Sequence, residues 1–237
     1  MWQPGGGGRD VPPRRRCRLR GRQGALGRVL GPPVRAAARS RRRADRSLRR
    51  PLIEEHVELT GRQLTLLRPP SADELIDEEA FGEDEFLPYW AELWPSGVAL
   101  ARVVAQLDLH GKRVVEIGAG LGLPSLAAAL RGADMLSTDW AEDAIALLRE
   151  NATRNGVVLR AERVRWDEPA PLLAGSPWDL VLGADLLYEQ RNAERLLQLV
   201  PQLGGEILLA EPGRPFAAAF LAHWDVEEVA DRVYRLR

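Results

Sequence analysis

A doubly wound α/β sheet of Rossmann type, preceded by a β-hairpin, is the fold this sequence predicts, and three observations predict it. From Gly111 onward short apolar runs alternate with helix-period segments, the order that yields parallel strands joined by crossover helices. The run Asp179–Ala184 is apolar after its first residue except for Gly183, as a strand covered on both faces requires. Arg113–Ile117 leads into Gly118, Gly120 and Gly122 and then a helix, the place where such sheets receive nucleotides.

Each element has a local reason. Val57–Thr60 and Gln63–Leu67 alternate apolar and polar residues around Gly61-Arg62, which predicts the hairpin. The stretch from Asp73 to Glu85 holds eight acids and no base, and reads as a solvated loop or as an acidic lip for a basic substrate. Ser96 after Pro95 stands in an N-cap position, and Leu100, Val103, Val104 and Leu107 recur at helical spacing. A buried strand is expected at 113–117, then a helix over 124–131 with Pro124 in its first turn and Gly132 past its end. A strand at 135–139 and a helix over 141–154, closed by Asn155-Gly156, come next. Further strands are expected near 159–166, at 179–184 and at 206–210, helices near 193–200 and 215–224, and a terminal strand pair over 226–237.

Charge divides the chain. Its 237 residues carry a net charge of −1, but residues 1–50 hold sixteen arginines against Asp10 and Asp45, and the remainder is strongly acidic. That head, rich in arginine, proline and glycine, cannot bury enough apolar surface to order itself. It reads as a dispensable tail, part of it ahead of a mis-assigned start. A nucleic-acid arm and a mitochondrial transit peptide stay open as alternatives. The expected organisation is this head, a segment 51–110 with hairpin, acidic stretch and tryptophan-bearing helix, and a cofactor-binding core 111–237.

Cys17 is the sole cysteine and His56, His110 and His223 are scattered, which argues against a disulfide framework and against any metal site. No apolar run reaches the 18 or so residues of a membrane span; the single cysteine and the near-exclusive use of arginine over lysine make a reducing, bacterial cytoplasm the expected setting. The Asn151-Ala-Thr153 glycosylation triplet falls in a helix and is discounted.

The glycine loop carries the chemistry. Gly118 and Gly120 let a ligand approach the backbone, and the next helix offers free N–H groups to it. Twenty-one residues after Gly118, Asp139 ends a strand where a carboxylate can accept both ribose hydroxyls. The spacing Gly-x-Gly-x-Gly lacks the third small residue that a pyrophosphate needs. Glu116, at the lip of the loop, repels a diphosphate but suits an ammonium and a sulfonium. A nucleoside cofactor of the S-adenosylmethionine kind is therefore favoured over a dinucleotide.

The segments Glu116–Gly122, Asp139 and Val181–Tyr188 together resemble a class I S-adenosylmethionine-dependent methyltransferase, and more narrowly the family 16 seven-β-strand protein-lysine methyltransferases. Pro88–Ser96 and Glu211-Pro-Gly-Arg214 are similar to the branch acting on the electron transfer flavoprotein β subunit, although Glu211 stands where that branch usually has Asp. The resemblance covers residues 57–237. It implies a seven-stranded, mostly parallel sheet with an antiparallel last strand and helices on both faces. It implies cofactor contacts at Trp94, Gly118, Ala119, Gly120, Asp139, Trp166, Asp167 and Ala184, with Asp185 and Tyr188 placing the target amine. Without it, Trp90 and Trp94 read as one core face of a helix, Trp166 as a buried strand aromatic, and Trp140, Trp178 and Trp224 as packing.

The resulting expectation is an enzyme that methylates a lysine ε-amine of a protein, needing no metal. A small-molecule N-methyltransferase of the nicotinamide type is the alternative. A nucleic-acid-binding module is disfavoured by the acidic body, and a nucleic-acid methyltransferase by Asp-Leu-Leu-Tyr standing where a base-flipping motif would be.

Overall fold

The structure, a computed structural model, describes residues 51–75 and 87–237. The arginine-rich head and most of the acidic stretch lie outside the described residues. A two-stranded hairpin, β1 (Ile53–Leu59) and β2 (Arg62–Arg68), precedes a seven-stranded sheet. That sheet contains β3 (Arg113–Ile117), β4 (Asp134–Asp139), β5 (Arg160–Arg163), β6 (Leu180–Ala184), β7 (Glu206–Ala210), β8 (Val226–Ala230) and β9 (Val233–Leu236). Its spatial order is β5-β4-β3-β6-β7-β9-β8, with β3 to β7 parallel and β9 antiparallel to both its neighbours. The expected sheet, antiparallel last strand included, is the one observed.

Alternation along the strands feeds two cores. Val114, Leu180, Leu182 and Leu208 pack with α1 (Pro95–Val104), α2 (Leu123–Leu130) and the hairpin on one face. Val115, Ile117, Val181 and Leu209 point the other way, toward α4 (Ala170–Ala174), α5 (Gln190–Leu203) and α6 (Ala217–Leu221). α3 (Glu142–Arg154) closes the first face beside β5 and clasps the hairpin. Asn151 Oδ1 accepts the Leu67 N–H at 2.7 Å and Asn155 Oδ1 that of Thr65 at 3.0 Å. Both amides donate back to the same strand, so the helix end satisfies the free edge of β2. Asn151 is fully buried, which leaves no room for a glycan.

Several expectations are corrected. The hairpin turn is Thr60-Gly61, both at positive φ (45° and 78°), because a two-residue loop matching the strand twist needs that conformation twice. Ser96 does not cap α1: the helix begins at Pro95 after Trp94, and the Ser96 hydroxyl turns inward. β5 ends at Arg163, so Trp166 lies in a turn beyond the strand. α5 starts three residues earlier than its apolar spacing suggests and runs through Pro201, which sits in the last turn. α4 was not expected, and α6 is shorter than its predicted span. Among the described residues no helix is long and apolar enough to cross a membrane.

Candidate active site

The parallel strands deliver their C-terminal ends to one edge. The crevice opens where the strand order reverses, between β3 and β6. A cleft of about 760 Å³ lies there, with residues from the glycine loop, the end of β4 and the end of β6 in its wall. A smaller cleft of about 470 Å³ adjoins it along Trp140, Trp166 and Asp167.

One rim is built from backbone. Gly118 (φ 66°) and Gly120 (φ 52°) are left-handed, a backbone conformation that other residues adopt only under strain. A Cβ on Gly118 would fall 2.7 Å from Leu186 Cδ2, and one on Gly120 would fall 3.1 Å from the Trp90 carbonyl. Asp139, almost wholly buried, accepts the Gly120 N–H on Oδ2 and the Ala141 N–H on Oδ1, each at 2.9 Å. Burial raises its carboxyl above the ordinary range while those N–H groups pull it back. Each oxygen keeps a second lone pair for a ribose hydroxyl. Ala119 is buried beneath the loop, its N–H bonded to the Thr138 carbonyl.

Glu116 is not at the lip. It is 1% exposed, and its carboxylate accepts the Ser125 hydroxyl, which itself accepts from Ser137 at 2.6 Å. Burial pushes its pKa up to about 8. It still borders the cleft floor, so an arriving cation would favour its charged form. Trp166 borders both clefts, as Trp140 does. Asp167 is tied back by Arg165 at 2.9 and 3.0 Å, which holds its carboxyl down at about 2. It is therefore a permanently ionised acceptor at the edge of the smaller cleft rather than a free one.

The other rim is built from side chains. Ala184 ends β6 against Ala210, and the chain then turns through Asp185 at φ 56°, a strained conformation that Asp tolerates better than most residues. The Asp185 N–H continues the ladder to the Ala210 carbonyl at 2.9 Å, and its carboxylate is buried in the cleft wall. Arg214 grips that carboxylate with two bonds, Nε to Oδ1 at 2.6 Å and a terminal nitrogen to Oδ2 at 3.0 Å. The Ser96 hydroxyl donates to Oδ2 at 3.3 Å. The guanidinium lies 5.7 Å from the Trp94 ring centre, and Trp94 donates its indole N–H to the Tyr89 carbonyl. Tyr89 packs edge-on against both Trp94 and Tyr188. Tyr188 has its hydroxyl pushed up to about 12 by burial, so it stays neutral.

The residues expected to hold the cofactor and the target amine thus all border one or other of these two adjoining clefts. Trp90 and Trp94 do not share a helix face: Trp90 lies in a short 3-10 turn and both border the cleft. Trp140 is a cleft residue as well, whereas Trp178 and Trp224 pack in the second core. The sequence reading missed Tyr89 and the pairing of Ser96 and Arg214 with Asp185. A signal for Arg214 existed: Glu211-Pro-Gly breaks the chain right after β7, at the same edge as Asp185. Glu211 accepts the Gly213 and Arg214 N–H groups at 2.9 and 2.6 Å, which sets the arginine's starting point.

The residues fit S-adenosylmethionine: glycine loop positions, a buried carboxylate at Asp139 with lone pairs left for two hydroxyls, aromatic walls at Trp140 and Trp166, and a buried acid at Glu116. Fold and site together define a class I S-adenosylmethionine-dependent methyltransferase. A sequence model described as lysine methyltransferase matches residues 82–210, more than half of the chain, and the chain belongs to that family. It is 35% identical over 120 residues to the protein N-lysine methyltransferase METTL21A of Danio rerio, covering 48% of this chain and 55% of that protein. It is 31% identical to the histone-arginine methyltransferase METTL23 of Xenopus laevis, over 73% of this chain and 77% of that protein. It is 32% identical to the human electron transfer flavoprotein beta subunit lysine methyltransferase, over 54% of this chain and 50% of that protein. The chain thus spans only about half the length of two of these relatives. Among solved structures, the Thermus thermophilus 16S rRNA N2 G1207 methyltransferase superposes with a TM-score of 0.57 at 15% identity, over 78% of this chain and 49% of that one; this likeness is one of fold.

Proposed function

We propose that this protein transfers a methyl group from S-adenosylmethionine to a lysine ε-amine of a protein substrate. The observation that carries the reading is Asp185: a buried carboxylate at the end of β6, in the same cleft as the glycine loop and Asp139. The cofactor, when bound, supplies an electrophilic methyl on a sulfonium. The chain's own residues then have to position an uncharged amine in line with it, which is work of orientation more than of acid–base catalysis. Asp185 accepts an N–H of the amine. Tyr188, too weak an acid to ionise, walls the approach together with Tyr89 and Trp94, and excludes water. The lone pair forms the N–C bond as the S–C bond breaks, and the proton then leaves the nitrogen for solvent.

Residues 111–237 supply the cofactor rim in this reading, while 51–110 supply Trp94 and Ser96 to the substrate side. The scarcity of cysteine supports a cytoplasmic setting. The relatives named for lysine methylation support a protein acceptor, and the one named for arginine adds a guanidine nitrogen as a second acceptor to test.

The test incubates the full chain with methyl-labelled S-adenosylmethionine and lysate from its own organism, beside Asp185→Ala. Label in a discrete protein band, on lysine after hydrolysis and at least a thousandfold weaker with Asp185→Ala, is the expected result. Label on arginine redirects the reading to guanidine methylation, and label confined to small molecules to amine methylation.

A further inference from the structure

Asp185 presents a chemical difficulty for the reaction just proposed, and Arg214 resolves it. An ionised carboxylate within about 4–6 Å of an amine raises the amine's pKa by one to three units. That would hold the acceptor as ammonium, which has no lone pair to attack with. Arg214 cancels the charge at source: its two bonds of 2.6 and 3.0 Å make a bidentate pair with no net charge. A carboxylate offers about four acceptor positions. Arg214 takes two and Ser96 a third, which leaves one for an N–H of the substrate.

The remaining groups around the pair do not undo this balance. Glu211, just past β7, is an acid coupled to both partners; burial raises its carboxyl, and two backbone N–H groups bind one of its oxygens. Tyr89 and Tyr188 pack edge-on against each other in the same cleft wall, and the Trp94 ring centre lies 5.7 Å from the guanidinium. Glu92, elsewhere in the cleft wall, is paired with Arg68 at 3.7 Å, and Asp139 and Glu116 belong to the cofactor side.

We propose that Arg214 is a positioning residue that neutralises Asp185, so that the acceptor site takes its amine in the uncharged form. This rests on the methyltransferase reading above. Arg214 does not touch the reacting atoms and acts through Asp185. It is also not a plug on the site, since one acceptor position of Asp185 stays open beside it.

The probe is n-butylamine, titrated calorimetrically into the full chain saturated with S-adenosylhomocysteine, at pH 7.5 and 9.5. Below an alkylamine's own pKa, near that of lysine at about 10.4, the neutral fraction grows tenfold per pH unit. The wild-type affinity for total amine should therefore rise about 50- to 100-fold across that range. Arg214→Gln should change less than threefold, because its uncompensated Asp185 binds ammonium. Arg214→Lys, which keeps the charge, should restore the slope. Thermal melting and an unchanged S-adenosylhomocysteine affinity check that each variant is folded, and Glu116, common to all three proteins, drops out of the comparison.

A wild-type affinity that stays level or falls with pH overturns the inference and leaves the methyltransferase reading standing. So does an Arg214→Gln slope equal to the wild type, or no saturable binding by any of the three proteins up to 50 mM amine. Failure of the wild-type chain to bind S-adenosylhomocysteine at all overturns the reading and the inference together.

Discussion

Asp139 and Asp185 flank β3 at the same edge of the sheet, both buried, and they are satisfied by opposite means. Asp139 takes the N–H groups of Gly120 and Ala141, 19 and 2 residues away. Asp185 takes side chains, Arg214 from 29 residues away and Ser96 from 89. On the proposed reading, the cofactor rim is therefore local backbone whose shape is inseparable from the loop's conformation. The acceptor rim is an assembly of side chains brought together by the tertiary fold, and it can be retuned one residue at a time. A third carboxylate, Glu116, lies below the first rim, and burial pushes its pKa up to about 8.

The largest effect belongs to Glu116. Its folded-state pKa of about 8 lies above the ordinary 4.5, so the folded chain binds that proton more tightly than the unfolded one. The stability this contributes is full below the unfolded value and is lost as pH rises through 8. Between pH 6 and 9 the loss should be about 3 kcal/mol at 1.36 kcal/mol per unit, and Glu116→Gln should remove it. Denaturant melts of both proteins at the two pH values measure this. Parallel pH trends would mean that Glu116 is ionised in the fold, and that the cofactor rim carries a net charge where the Asp185–Arg214 pair carries none.

The next effect separates the two aspartates directly. Asp139→Asn turns an N–H toward that of either Gly120 or Ala141, and should weaken cofactor binding about 30-fold, roughly 2 kcal/mol. Asp185→Asn should leave that affinity within threefold, because no part of the glycine loop hangs on it. Equal losses in a cofactor titration of the two variants would erase the distinction between the rims. The smallest effect is Ser96→Ala. Losing one 3.3 Å bond to a carboxylate should cost about 1 kcal/mol, roughly fivefold in turnover, with cofactor affinity unchanged.

The same contrast explains what could be read ahead of the structure. Strand β3, the glycine loop and Asp139 were legible because strand period, glycine spacing and a strand-end acid are all local in sequence. The sheet order followed from alternation of strands and helices. Asp185 was legible as a strand-end acid, and Glu211-Pro-Gly put Arg214 at the same edge, but their contact was not legible: nothing within a window of residues says that the loop after β7 folds back over the end of β6. Ser96 misled for a related reason, since its position after Pro95 imitates a cap while the tertiary fold claims its hydroxyl for Asp185. Trp166 read as a strand aromatic because the apolar pattern persists past Arg163, where pairing with β4 has ended.

Four of the seven tryptophans, Trp90, Trp94, Trp140 and Trp166, border one cleft. Trp178 is buried in the second core, its indole N–H bound to the Leu172 carbonyl at 3.0 Å. The protein thus carries its own optical gauge. Stacking of an adenine or arrival of a cation at those four indoles should alter the emission at 295 nm excitation, over a steady background from the core. Occupancy of this cleft can accordingly be followed by ultraviolet fluorescence alone, with neither a radiolabel nor a known acceptor.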